Sequence, residues 1–527
     1  MFVYLPRSGR FIDRLGESFV ESPDGTTLTV KLKKNVFWHD GAAFTSRDVE
    51  STFLVGYLKG LAIWYHLKGI ELPDARTIVF RWKRPSPLNR LRALTQPINS
   101  PHHIFGPWSE KVPRLREKAL RVKRGDVEAL KAQASAERDV REVLFKHRPA
   151  LPVGTGPFCL TRVTSSDMVL EKFHRHYEAD RVKVKKIRIQ RWSSNEVVWS
   201  YLVGGEVDGI APACPYDLAG EIMKRNPGYR LITPSDLTDF GIIFNCRKPP
   251  MSHMAFRQAV AHLIDRDALR KVAYFYGDTA EGYSPGIPQS FAGRWIDSGV
   301  QDSMTRYAHD PERARKLLTG AGFVKDPDSG RWTGPDGKPI SIEICAQSGL
   351  TDLILLGEAA SAQLNRFGIP CQVRVVAGDL YGPMLTGGKF DMAVENGSQM
   401  SKYGQPSISL DRFFDQSGYV RMAGGLPLVM KDRAGRSVDT HAMVLALRDA
   451  STPERQKEIT GELAWIANEN LPYLAIYEKH SMIFIQDGPR ITGWPGPDDR
   501  LWEAATGGVE SVFCTMMVKG VLRPAGQ

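Results

Sequence analysis

The chain has no uninterrupted apolar run of the ~20 residues that a membrane-crossing helix needs, so no transmembrane helix is expected. Cysteine is scarce. Six residues, Cys159, Cys214, Cys246, Cys345, Cys371 and Cys514, are widely spaced with no C-x-x-C pair. Buried free thiols are the expectation, with disulfides open in an oxidising compartment and no pairing fixed by spacing. Enzymatic signatures are missing as well: there is no G-x-S-x-G elbow, no H-E-x-x-H and no complete Walker loop. Gly382–Lys389 (GPMLTGGK) approaches a phosphate loop, but an extra glycine breaks the spacing and Phe390 stands where Ser or Thr is required. The G-x-G at Gly154–Gly156 lacks a third glycine, and Pro157 blocks a helix there. Basic clustering is also absent. The formal net charge is +11, yet Lys and Arg are interleaved with acids, which favours a solvated surface over a nucleic-acid groove.

What is present is an ordinary globular composition, 42% hydrophobic and 24% charged, over 527 residues, too long for one core. The organising stretch is Phe240–Gly277. The apolar run Ile242–Phe244 reads as a strand ending in Asn245, halted by Lys248-Pro249-Pro250. Phe256, Ala259, Val260, Leu263 and Ile264 then recur at helical spacing. Asp265 caps a second helix that Gly277 ends. Upstream, Pro23-Asp24-Gly25 turns a hairpin between Leu15 and Phe37, and Thr45-x-x-Asp48 is a capping box. Pro113–His147 reads as two solvated helices broken at Gly125-Asp126. His174 and His176 read as a surface pair on one strand face, with no third metal ligand nearby. Downstream, Asp310-Pro311 opens a helix, and Ile340–Cys345, Leu353–Phe367 and Cys371–Val376 form a β-α-β unit. Phe390–Ala393 and Pro472–Tyr477 are further buried strands. The class is α/β, with mixed sheets flanked by helices.

The order Asn245, Pro249-Pro250, Arg257-Gln258-Ala259, Ile264-Asp265-Arg266 resembles the signature of the family 5 solute-binding proteins. These are the oligopeptide- and dipeptide-type receptors of ABC importers, with sugar, nickel and opine binders among them. Other landmarks come in the family's order. They include Lys33-x-x-Val36-x-Trp38-His39-Asp40-Gly41, Gly154-Thr155-Gly156-Pro157-Phe158 and Asp310-Pro311-x-x-Ala314-x-x-Leu317-Leu318, and they span Phe2 to Tyr477. The resemblance implies a two-lobed periplasmic-binding-protein-like fold. Lobe I is expected from residues 1–19, 153–244 and 481–527, an inserted subdomain from 20–152, and lobe II from 245–480. It also implies a periplasmic or extracellular location, although no signal peptide is visible; Met1 is then expected to be an internal or misassigned start.

The implied function is capture of a solute in an interlobe cleft and its delivery to an ABC permease and its ATPases. No cofactor, metal or chemical step is expected, no nucleic acid is bound, and the membrane is met only through the permease, by a monomer. The resemblance places ligand contacts at Asn245, Trp64, Tyr65, Asn396, Gly397, Ser398, Gln399, Lys402, Tyr403 and Tyr477. Peptide receptors commonly carry an aspartate in a Trp-x-Ala-Asp-Tyr-x-x-Pro loop; here Tyr403 and Pro406 keep their places, Lys402 replaces the aspartate and the tryptophan is missing. A cation there repels an ammonium and attracts a carboxylate, favouring an oligosaccharide or an anionic solute. Peptide is the runner-up, with Glu395 as the substitute acid. A sensor handing ligand occupancy to a receptor or regulator is the rival from another class.

Overall fold

The computed structural model describes all residues except Arg124, Gly125, Ala150, Trp192, Ser193 and Gln527. The chain packs as two compact units. One holds Met1–Ser194, Asp487–Gly496 and Glu510–Gln527; the other holds Asn195–Gln486 and Pro497–Val509. These limits differ from the expected lobe boundaries, since residues 195–244 pack in one unit with residues 245–486.

In the first unit, a four-stranded antiparallel sheet runs Gly16–Glu21, Thr27–Leu32, Thr77–Trp82, Leu67–Asp74. Alternation explains it: Leu28 and Val30 face inward opposite Phe80 and Ile78, while Lys31 points to water. Helix Ser46–Leu58 lays Phe53 against Phe80, with ring centroids 5.0 Å apart. The expected capping box is present, and Asp48 does more than cap. It is 3% exposed; its Oδ2 accepts from Thr45 N at 2.7 Å and its Oδ1 from His102 N at 2.8 Å. Asp48→Ala strands two half-buried donors and is expected to cost about 1–2 kcal/mol, read as a fall in thermal midpoint.

Helices Val112–Arg121 and Val127–Lys146 match the expected pair; Gly125, at the expected break, lies outside the described residues. His39 clamps the Gly154–Gly156 turn, its Nδ1 accepting from Gly154 N and its Nε2 meeting Gly156 O, with burial holding its pKa low. The reading of His174 and His176 as a strand-face pair is corrected. Both lie in the turn after strand Asp167–Lys172; His174 is exposed, while His176 is buried and its pKa falls to about 4 through desolvation.

The second unit is built on a six-stranded sheet. Its order is Asp278–Thr279, Tyr473–His480, Ser235–Phe244, Met392–Gln399, Ile342–Gln347, Cys371–Val376; the first four are antiparallel neighbours and the last two connections are parallel. Ser235–Phe244 is the central strand, and successive residues serve opposite cores. Ile242 and Phe244 join one with Phe256, Leu269, Leu318 and Leu356; Ile243 joins the other with Phe413, Val444 and Leu463. At Gly241 the register slips, so that Phe240 faces Tyr477 but Gly241 faces Ala475.

The signature arginines hold backbone. Arg257 donates to the carbonyls of Met251, Asn470 and Leu471, and Arg266 to those of Ala475 and Tyr307. Both are 5% exposed, so each guanidinium ties a helix to the return of the chain into the sheet. The second helix ends at Ala273, short of the expected Gly277. All six cysteines are free thiols.

Candidate functional site

The expected site residues fall in both units. Trp64 and Tyr65 belong to the first. Trp64 is buried, its indole donating to Phe53 O at 2.7 Å with the Arg116 guanidinium 4.0 Å above the ring, whereas Tyr65 is 79% exposed. The remainder lie in the second unit, and all but Asn245 gather at one end of the central strand. Asn245 is at the other end, 1% exposed, and its amide is committed to Gly388 O and Phe390 O. Asn396–Gln399 lie past the expected strand Phe390–Ala393 but form the last half of strand Met392–Gln399, with Asn396 opposite Phe240 and Gln399 opposite Thr238. Turn-forming side chains here yield to ladder pairing with the central strand. Asn396 Oδ1 accepts from Arg412 at 2.9 Å, and Gly397 is required because the Tyr473 ring lies 2.5 Å from where a Cβ would stand. Lys402 and Tyr403 share the short helical turn beyond it, with the ammonium 5.4 Å from the ring centroid. Glu395, the expected substitute acid, already accepts from Asn396 N and from Tyr419 Oη.

Tyr477 is fully buried, stacked between Phe240 and Tyr274 with centroids 5.7 Å away on either side, and its hydroxyl has no hydrogen-bond partner. Lys479 closes the stack, its ammonium 5.3 Å from the Phe240 ring and 5.2 Å from that of Tyr274.

Sequence reasoning missed the acids on these same strands. Asp278 faces Glu478, and Glu478 faces Asp239, placing three carboxylates in one row across three neighbouring strands. Asp278 meets His480 Nε2 at 2.8 Å. Glu478, 3% exposed, accepts from Ser290 N at 2.9 Å, from Ser290 Oγ at 2.7 Å and from Ser235 Oγ. Asp239 is 0% exposed, with the Ser398 side chain and the Gln289 backbone as its hydrogen-bonding neighbours. Burial, reinforced by Glu478 and Asp236, pushes its pKa well above the usual carboxylate range. Asp236 rises to about 7 through burial, with Lys479 pulling the other way. Asp278 and Glu478 also wall a cavity of about 500 Å³, lined further by Glu281, Tyr283, Gln289 and Ser290. The only sequence signal was two aspartates just ahead of an apolar run.

This α/β architecture is that of the two-lobed periplasmic binding proteins. It superposes on a periplasmic oligopeptide-binding protein of Thermotoga maritima with a TM-score of 0.73 at 21% identity, over 97% of this chain and 92% of that one. It superposes on the same protein bound to mannohexaose at 0.69 and 20% identity, over 100% and 92%. The family described as bacterial extracellular solute-binding proteins, family 5, middle region, matches residues 10–420, and the chain belongs to it. Among its relatives, a Brucella ovis protein named as an ABC transporter peptide-binding protein is 25% identical over 484 residues, 88% of this chain and 80% of that protein. The glutathione-binding protein GsiB of Escherichia coli is 25% identical over 326 residues, 60% of this chain and 54% of its own length. Proteins of this family serve ABC importers as their substrate-binding components. Among the described residues, no helix is long and apolar enough to cross a membrane.

Proposed function

We propose that this chain captures a carboxylate-bearing solute or an oligosaccharide outside the cytoplasmic membrane and hands it, as a monomer, to a permease and its ATPases. The family match over residues 10–420 carries the capture role. The ligand class rests on Lys402, whose ammonium stands over Tyr403 just beyond the strand end that holds Asn396–Gln399. Asn396, Gly397, Ser398, Gln399, Lys402 and Tyr403 are the proposed contacts. Asn245 and Tyr477 act by fixing the sheet that presents them. Peptide is the second reading, favoured by the name of the Brucella relative.

A thermal-shift screen against oligosaccharides, short peptides with free and blocked amines, and small carboxylates tests it, because a ligand that binds only the native state raises the melting temperature. Sugars or carboxylates are expected to raise it. Lys402→Glu is expected to weaken a carboxylate ligand at least about tenfold by calorimetry, the loss of one attraction and gain of one repulsion. A ligand that binds the variant equally well excludes Lys402 as its anchor. No shift with any solute overturns the capture reading.

A further inference from the structure

Over the whole chain Lys and Arg mix with acids, but over residues 111–123 six cations stand against the single acid Glu117. They lie on and just beyond helix Val112–Arg121, in the first unit. The inner side of this helix is fixed. Val112 and Leu115 are buried, Gln133 Nε2 of the following helix donates to Leu115 O at 2.9 Å, and Arg116 turns inward over the Trp64 ring. Lys111, Arg114, Lys118 and Arg121 recur at spacings of three and four, so they run in one exposed line along the outer side. Arg121 is paired with Glu117; Lys111, Arg114 and Lys118 form no ion pair among the described residues. Lys118 and Arg121 suit the negative end of the helix. Lys111 at the N-cap and Arg114 in the first turn oppose its positive end, with no acid in that turn to offset them. Helix stability does not account for the line.

We propose that this line of cations is a docking surface for an anionic phospholipid bilayer. From Lys111 to Arg121 it rises about 15 Å, at ~1.5 Å per residue. That exceeds the screening length of ~8 Å in physiological salt, so a small anion feels one or two of the charges whereas a charged plane feels all of them. Leu120 stands on the outward side of the same helix with 77% of its surface in water. An exposed leucine among cations suits the boundary between headgroups and acyl chains. The apolar side chain enters there while the cationic groups stay with the phosphates. The surface belongs to the first unit and the proposed capture contacts to the second, so the two readings stand or fall separately.

Cosedimentation of the full chain with phosphatidylcholine vesicles, with and without phosphatidylglycerol, is the test. Binding is expected to the anionic vesicles only, and to fall at least about tenfold between about 0.1 and 0.5 M salt. Replacing Lys111→Gln, Arg114→Gln and Lys118→Gln together is expected to weaken it about a hundredfold, at about fivefold per cation. The matched control Lys34→Gln, Lys224→Gln and Lys316→Gln removes three exposed cations elsewhere and is expected to keep most of the binding. Leu120→Gln is expected to weaken it at least about threefold. All these side chains are exposed, so the variants are expected to fold, and the salt series needs no variant. Equal binding to neutral vesicles, none to anionic ones, salt independence, or a control that loses as much as the triple variant overturns the surface. Binding left unchanged by Leu120→Gln assigns the line to a soluble polyanion and overturns the membrane. Melting shifts caused by solutes are expected to be the same in the triple variant and the wild type.

Discussion

Gly241→Ala is expected to abolish the cooperative melting of the second unit or lower its midpoint by at least about 10 °C. A Cβ at this position would stand 1.9 Å from the Leu474 carbonyl oxygen and 2.9 Å from its carbon, with Tyr473 Oη 3.0 Å away. The first two obstacles are backbone, so no side-chain rotation relieves them. The central strand must instead separate from Tyr473–His480 at the register slip, where residues of both cores meet. Breaking a buried ladder puts the cost above roughly 4–5 kcal/mol, a large part of a typical net stability of about 5–15 kcal/mol. Gly382→Ala is the matched control. It lies inside helix Gly378–Thr386 with nothing within 4 Å of a new Cβ, and alanine there is expected to add about 0.5–1 kcal/mol. Circular-dichroism melts decide both; an unshifted midpoint for Gly241→Ala would falsify the close-approach argument.

Asp236→Asn is expected to stabilise the protein at alkaline pH and to do nothing in acid. Burial raises the folded pKa of Asp236 from 3.8 to about 7, Lys479 lowers it, and Glu478 raises it further. The folded state thus holds this proton more tightly than the unfolded chain. The aspartic acid's contribution is fully present below about pH 4 and is lost as pH rises through 7. Asparagine keeps the neutral form's environment at every pH. The gain should grow from nothing near pH 4 to about 2–4 kcal/mol by pH 8, taking 1.36 kcal/mol per unit with a discount for partial exposure. Urea melts at pH 4.5, 6 and 8 measure it. A difference independent of pH, or a less stable variant at pH 8, rules out the titration.

Much of the fold was legible because periodicity is local. Leu28, Val30 and Leu32 alternate within one strand, Asp310-Pro311 starts one helix, and Cys371–Val376 is bounded as the pattern predicts. The arginines of the signature were visible, though not their use: a guanidinium that holds Ala475 O looks, in sequence, like one that holds a ligand. Two kinds of information were not local. Asn396-Gly397-Ser398 carries turn residues, and only pairing with Thr238–Phe240 makes it strand. The acidic row needs Asp239, Asp278 and Glu478 in cross-strand register, which no spacing in the chain encodes. An aspartate beside an apolar run reads as the strand's end, so the apolar pattern starts the strand at Ile242 when it starts at Ser235.

The central strand also dictates when the molecule is able to fold. Ile242 pairs with Leu474 on one side and Val394 on the other, so its partners lie about 150 and 230 residues further along. At about 5–20 residues per second of synthesis, the more distant partner leaves the ribosome roughly 10–50 s after the strand itself. For roughly the first two thirds of that interval Ile242, Ile243 and Phe244 have neither edge covered, and closing so long a loop is slow. The second unit of the nascent chain is therefore an unfolded client while most of it is being made, open to holdases, and is committed only when its last quarter has been made.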